Sequence, residues 1–189
     1  MTQPPLFIFI DDDTREKGDA EEFKKLLNLP NVLRVELRKP DRNTLLVSEE
    51  KLEEGIAGFI LDISLSDHVQ NGDERFIGTG AGLAQDIRLL QSLGEPNGQK
   101  PRPIVRLCAT KVFQDFLKGD TSSWDIFDLG YDKETIGDLA SSARREIASL
   151  VDIYDRIVEA VNKGGSDEAS NRRGTGMKGR SLAGVGAAG

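Results

Sequence analysis

Three consecutive aspartates, Asp11, Asp12 and Asp13, halt the apolar run LFIFI at residues 6–10, and a fourth, Asp62, halts the run IAGFILDI at 56–63. Lys133 stands just beyond a third run, WDIFDLGY at 124–131. If these runs are strands of one parallel sheet, the acids and the lysine gather at the carboxyl edge, where open α/β sheets carry their functional crevice. Two carboxylates about 4 Å apart repel by roughly 4 kcal/mol at an effective dielectric of 20, so a cluster of three holds a cation or takes up protons. An all-oxygen ligand set suits Mg²⁺, which keeps several waters and accepts phosphate oxygens. Taken singly, each acid also fits a helix cap or a solvated strand end.

The elements that must position these groups alternate along the chain. LFIFI reads as a strand buried on both faces. Asp19–Pro30 places Phe23, Leu26 and Leu27 on one side of a short helix that Pro30 closes. VLRVEL at 32–37 alternates like a half-buried strand, a short helical segment lies around Ser48–Glu54, and IAGFILDI is the next buried strand. A long polar, Gly-rich loop then leads into the helical spacing of Leu83, Ile87 and Leu90. IVRLCAT follows Pro101 and Pro103, a helix is expected over about 111–118, and WDIFDLGY reads as the last strand. The expected fold is α/β, a doubly wound five-stranded parallel sheet with an extended C-terminal helix.

That last helix is read from Leu139, Ala143, Ile147, Leu150, Tyr154, Ile157 and Val161, a stripe longer than a small sheet can cover. It is expected to serve as a dimer seam or an effector connector. The residues from Gly164 onward are Gly, Ser, Ala and basic, with little to bury, and read as a disordered tail or linker. The expected division is therefore 1–140 for the sheet domain, 141–163 for the helix and 164–189 for the tail.

Composition narrows the function. A hydrophobic content of 38% over 189 residues supports one well-buried core rather than two. The net charge of -7 argues against nucleic acid or anionic lipid as a partner. The apolar runs fall far short of the roughly 20 residues of a membrane helix, and the start lacks a basic n-region, so a cytoplasmic protein without membrane contact is expected. One cysteine, Cys108, and one histidine, His68, argue against an internal disulfide, zinc and Cys/His catalysis. The glycines of GTGAG at 78–82 lack the Lys-Ser/Thr of a phosphate-binding loop and read as loop flexibility. His68 reads as a solvated loop residue and Trp124 as packing at the mouth of the last strand.

Over about residues 5–140 the chain resembles a response-regulator receiver domain of two-component signalling. FIFIDDD resembles the family's first-strand signature, which implies metal binding by Asp11 and Asp12. LDISLSD at 61–67 resembles its third-strand signature, which implies Asp62 as phosphoryl acceptor and metal ligand, with the backbone carbonyl of Ser64 completing the metal shell. DKE at 132–134 falls where the family carries Lys-Pro, making Lys133 the lysine that pairs with the acyl phosphate. The switch hydroxyl is assigned to Thr110, which keeps the family's distance to the lysine, with Cys108, which matches the Leu-x-Ala context, as the alternative. Glu134 replaces the usual proline, Tyr131 stands one place off the register of the family's fifth-strand aromatic, and the loop from Ser66 to Gly80 is longer than the norm.

The resemblance implies a Mg²⁺-dependent phosphoacceptor, not an enzyme beyond slow self-phosphorylation and dephosphorylation. It implies a histidine kinase or phosphotransfer protein as donor, a protein effector or linked domain as target, and a homodimer through the C-terminal helix. Two rival readings are carried with it. One is a receiver-like binding module that is not phosphorylated. The other is a haloacid-dehalogenase-type phosphatase with Asp11 as nucleophile and Asp13 as acid/base, although Arg15 stands where that motif wants Thr or Val, and Asp62 is left without a role.

Overall fold

The apolar runs form five strands of one all-parallel sheet in the order β2-β1-β3-β4-β5, the doubly wound arrangement of a receiver fold. The strands are β1 (Leu6–Ile10), β2 (Arg34–Arg38), β3 (Ile56–Leu61), β4 (Ile104–Cys108) and β5 (Leu129–Asp132). The helices are α1 (Asp19–Leu27), α2 (Gly80–Ser92), α3 (Thr110–Gly119) and α4 (Ile136–Gly174). The computed structural model describes residues 3–13, 16, 18–40, 56–65, 79–92, 100–119 and 125–174, with the backbone alone for 113, 116–119 and 162–174. The helix expected around 48–54, His68 and Trp124 lie outside the described residues.

Strand alternation fills both sides of the sheet, as the continuous apolar runs require. Phe7, Phe9, Ile60, Val105 and Leu107 face one way and pack with Ala20 and Leu27 of α1 and with Ile136, Ala143 and Ile147 of α4. Ile8, Ile10, Phe59, Leu61 and Ile104 face the other way, against Leu83, Ala84 and Ile87 of α2. In α1, acidic Asp19, Glu21 and Glu22 in the first turn and Lys24 and Lys25 in the last complement the helix dipole. This helix supplies Phe23 beneath the carboxyl edge.

Two boundaries depart from the sequence reading. The last strand begins at Leu129 rather than 124, because Asp128 turns its carboxylate back onto the sheet. Its Oδ2 accepts the Ile104 N–H at 2.7 Å, and the Ile126 carbonyl accepts from Arg88 Nε at 3.1 Å. The Asp128 N–H already donates to the Ile104 carbonyl at 2.8 Å, and the regular strand starts one residue later. At the C-terminus, α4 continues to Gly174, so residues 164–174 of the expected tail are helical.

The chain divides into two units, Met1–Asp155 and Arg156–Gly189. The first extends past the expected boundary at 140, because Ala143 and Ile147 are fully buried and Leu150 and Val151 pack against the same core. Farther along α4 the apolar stripe opens to solvent, with Ile153 50%, Ile157 48% and Val161 68% exposed. Among the described residues no helix is long and apolar enough to cross a membrane.

Candidate functional site

Adjacent strand ends bring the acids together. The Asp11 N–H donates to the Arg38 carbonyl at 3.3 Å, the Asp62 N–H to the Ile10 carbonyl at 3.0 Å, and the Lys133 N–H to the Cys108 carbonyl at 3.2 Å. Backbone pairing thus carries one residue past β1, β3 and β5 and fixes all three side chains at the carboxyl edge. Asp11 and Asp62 flank the β1/β3 boundary, where the strand order reverses and such sheets place their ligands. Both are buried, at 1% and 6% exposure, and Asp12 is half-buried.

Lys133 Nζ bridges the two buried carboxylates, donating to Asp11 Oδ2 at 2.9 Å and Asp62 Oδ2 at 2.8 Å. The remaining oxygens each take a backbone N–H, Asp11 Oδ1 from Asp13 at 2.9 Å and Asp62 Oδ1 from Ser64 at 3.3 Å. A carboxylate offers about four lone-pair positions, so both still have lone pairs to give. One carboxylate oxygen each from Asp11, Asp12 and Asp62 lies within 4.8 Å of the others, a cluster able to hold a metal ion. With three carboxylates and one ammonium the group carries a net charge of about -2 when ionised, which a divalent cation neutralises.

The electrostatics record this imbalance. Burial pushes the Asp11 carboxyl above the ordinary carboxylate range, against the opposing pull of Lys133. Burial works against the Lys133 ammonium too, but Asp62 and Asp11 outweigh it and hold its pKa above the ordinary lysine value. The Phe23 ring of α1 lies 5.6 Å from the ammonium, within cation–π range. Sequence reading treated Phe23 only as a core position, and its helical spacing carries no sign of this second contact.

The turn that presents Lys133 carries Glu134 where the receiver resemblance leads one to expect proline. The Glu134 N–H donates to Asp132 Oδ1 at 2.7 Å, a bond that proline at this position cannot make. A hydrogen bond therefore fixes the turn where the family uses a ring.

The two candidates for the hydroxyl position stand in different surroundings. Thr110 opens α3 as an exposed residue. Cys108 ends β4, pairs in register with Asp132, and is fully buried against Ile63 and Ala81. Its thiol feels both Asp62 and Lys133, and burial raises its pKa despite the Arg106 guanidinium. Counting residues back from the lysine favours Thr110, but strand register sets which residue stands beside it. Arg106 Nη1 donates to Cys108 Sγ at 3.2 Å, and the guanidinium fills the space where a Cβ at Gly130 would sit. An arginine inside an apolar strand was the signal in the sequence that this face needed a polar partner.

Tyr131 turns towards α4, where its hydroxyl donates to Glu146 Oε2 at 2.7 Å. Asp13, the acid/base of the phosphatase reading, is half-buried beside the cluster and contributes its N–H to Asp11. Ser64 is exposed two residues beyond Asp62.

No protein-family model matches the chain, and neither does any curated protein. Solved structures do. The chain is similar to the Legionella pneumophila response regulator LqsR, with a TM-score of 0.50 and 13% identity over 87% of this chain and 49% of that one. It thus spans about half of LqsR's length. It is also similar to a fusion protein carrying the trimeric coiled coil of yeast Spc42, with a TM-score of 0.51 and 17% identity over 89% of this chain and 93% of that one. These likenesses establish the α/β receiver fold.

Proposed function

We propose that this chain is a phosphoacceptor signalling domain that receives a phosphoryl group on Asp62. The reading rests on one observation above the others, the bridging of Asp11 and Asp62 by Lys133 at 2.9 and 2.8 Å in the switch-point crevice of the sheet. In the step we assign, one Asp62 oxygen attacks the phosphorus of a donor while the bond to the donor's leaving group breaks, and the leaving group departs with the electron pair. Lys133, already 2.8 Å from the nucleophile, follows the charge onto the transferring oxygens. Bound through Asp11, Asp12 and Asp62, Mg²⁺ supplies charge neutralisation at those oxygens.

Asp11 and Asp12 hold the site's negative potential, and backbone donors keep the buried carboxylates in place. The resulting acyl phosphate adds about two negative charges, which the exposed Ser64 and the buried Cys108 thiol border. In this reading hydrolysis is slow, and the domain relays a state rather than turning over substrate. Similarity to a response regulator supports a sensor kinase or phosphotransfer protein as donor and a protein effector as target. The open stripe Ile153, Ile157 and Val161, together with the likeness to a coiled-coil fusion, supports self-association through α4.

Intact mass after incubation with acetyl phosphate and Mg²⁺ tests the reading. Wild type is expected to gain the mass of one phosphoryl group, and Asp62→Asn to gain none. A wild type that stays unlabelled while still binding Mg²⁺ would make the domain a binding module instead.

A further inference from the structure

A second polar network sits away from the acidic cluster and ties three elements together through one guanidinium. Arg88, on α2, donates from Nη2 to Asp128 Oδ2 at 2.6 Å and from Nη1 to the Tyr154 hydroxyl of α4 at 3.0 Å. The Tyr154 hydroxyl donates in turn to Asp128 Oδ1 at 2.7 Å. Arg88 also reaches the carbonyls of Ile126 and Arg102, both at 3.1 Å. The Lys100–Asp155 pair at 2.6 Å fastens the next residue of α4, and Tyr154 and Asp155 are the last two residues of the first unit.

The other end of α2 rests on the phosphoacceptor itself. The Gly80 N–H donates to the Ile63 carbonyl at 3.0 Å, and a Cβ at Gly80 would collide with the Asp62 carbonyl oxygen. Ala81 packs against Ile63 and Cys108. Only glycine permits this approach, so the helix start follows any movement of the Asp62–Ile63 backbone. Eight residues of helix, about 12 Å at 1.5 Å per residue, separate Gly80 from Arg88 without an internal glycine hinge after Gly82. The rod has Asp62 at one end and Tyr154 at the other.

We propose that Arg88 and Tyr154 are positioning residues of a latch through which α2 couples occupancy of the Asp62 site to the hold on α4 around Tyr154. The inference rests on the phosphoacceptor reading but can fail independently of it. The two states of the latch are a Tyr154 hydroxyl held between Arg88 and Asp128, and one released when α2 shifts. Interactions of this kind switch between discrete arrangements because their geometry is narrow. The route differs from one through a switch hydroxyl and Tyr131, since Tyr131 is bound to Glu146 and Thr110 is exposed.

Amide exchange over residues 145–155 of the full chain, measured without Mg²⁺, with Mg²⁺, and with Mg²⁺ plus acetyl phosphate, tests the latch. Intact mass on the same samples reports the Asp62 adduct. In wild type, exchange over this segment is expected to change roughly five-fold on occupancy, the scale set by one hydrogen bond made or lost. In Tyr154→Phe the unoccupied protein is expected to exchange faster and the response to occupancy to vanish, with adduct formation unchanged. A response of equal size in Tyr154→Phe, or an adduct with no response in wild type, overturns the latch. If no adduct forms, the phosphoacceptor reading fails, and the Mg²⁺ arm alone decides the latch: no response to Mg²⁺ in wild type, or one of equal size in Tyr154→Phe, overturns it. Arg88→Lys, which keeps the charge but not the fork, carries the same comparison should Tyr154→Phe not fold.

Discussion

The two polar centres of this domain use the same groups to opposite ends. In the latch one carboxylate meets one guanidinium, and Asp128 accepts three hydrogen bonds, at Oδ1 from Tyr154 and at Oδ2 from Arg88 and the Ile104 N–H. In the acidic cluster the two buried carboxylates of Asp11 and Asp62 share one ammonium and accept two hydrogen bonds each, and burial drives the Asp11 carboxyl above its usual range. A charge-balanced network with more of its acceptor positions filled is a structural joint. A network short of positive charge, with lone pairs left over, asks for a ligand. The difference lies in stoichiometry, not in residue type, and motif reading alone does not separate the two.

The sharpest way to break the comparison is to remove one carboxylate from each centre. Asp128→Ala strands Arg88 and the Ile104 N–H in a setting where the pair is only 24% and 21% exposed. It is expected to cost about 3 kcal/mol in denaturant unfolding, the lower end for breaking a largely buried pair. A cost below about 1 kcal/mol would make the latch no more than a surface ion pair. Asp12→Asn in the cluster is expected to leave the metal-free protein as stable as wild type or slightly more so, because it removes a repelling charge.

Mg²⁺ sharpens the same contrast. At a concentration of 100 times Kd it is expected to stabilise wild type by about 2.7 kcal/mol, read as a rise in Tm. Asp12→Asn is expected to lose the rise, whereas Tyr154→Phe is expected to keep it. No shift in wild type up to millimolar Mg²⁺ would remove the metal from the site.

A smaller effect distinguishes the latch from a loosely held tyrosine. Burial, followed by the hydrogen bond and the charge of Asp128, pushes the Tyr154 hydroxyl up to about 12. Burial and Glu146 raise Tyr131 as well. Because the folded pKa of Tyr154 lies above the unfolded value, its contribution to stability is complete below about pH 10 and is lost as pH rises through about 12. The chain has two tyrosines, so tyrosinate absorbance is expected to be nearly absent at about pH 10.5 in native protein and to appear on unfolding. Titration of one tyrosine near pH 10 in the native state would mean an open latch.

Much of this was legible in the sequence. LFIFI followed by three aspartates and IAGFIL followed by Asp62 announce buried strands ending at a polar edge, and the structure places both as read. Lys133 was placed by the same logic, and it closes the cluster. What failed were features settled by contacts distant in sequence. WDIF at 124–127 has a strand's composition, but Asp128 spends its side chain on residues 24 and 40 positions away. Between Thr110 and Cys108, spacing along the chain points to the first, while the β4/β5 register sets the second opposite Asp132. Tyr154 fitted the apolar stripe of α4, and nothing local marks its hydroxyl as the meeting point of α2 and the start of β5.

The central claim is that Asp62, and not Asp11, carries the phosphoryl group, and peptide mapping of the labelled protein tests it most directly. After brief reaction with acetyl phosphate and Mg²⁺, borohydride trapping of the acyl phosphate followed by fragmentation is expected to mark the peptide containing Asp62. The mark is expected to persist in Asp13→Asn. A mark on Asp11, or steady hydrolysis of a phosphomonoester that survives Asp62→Asn, would contradict the receiver reading and assign the site to a phosphatase.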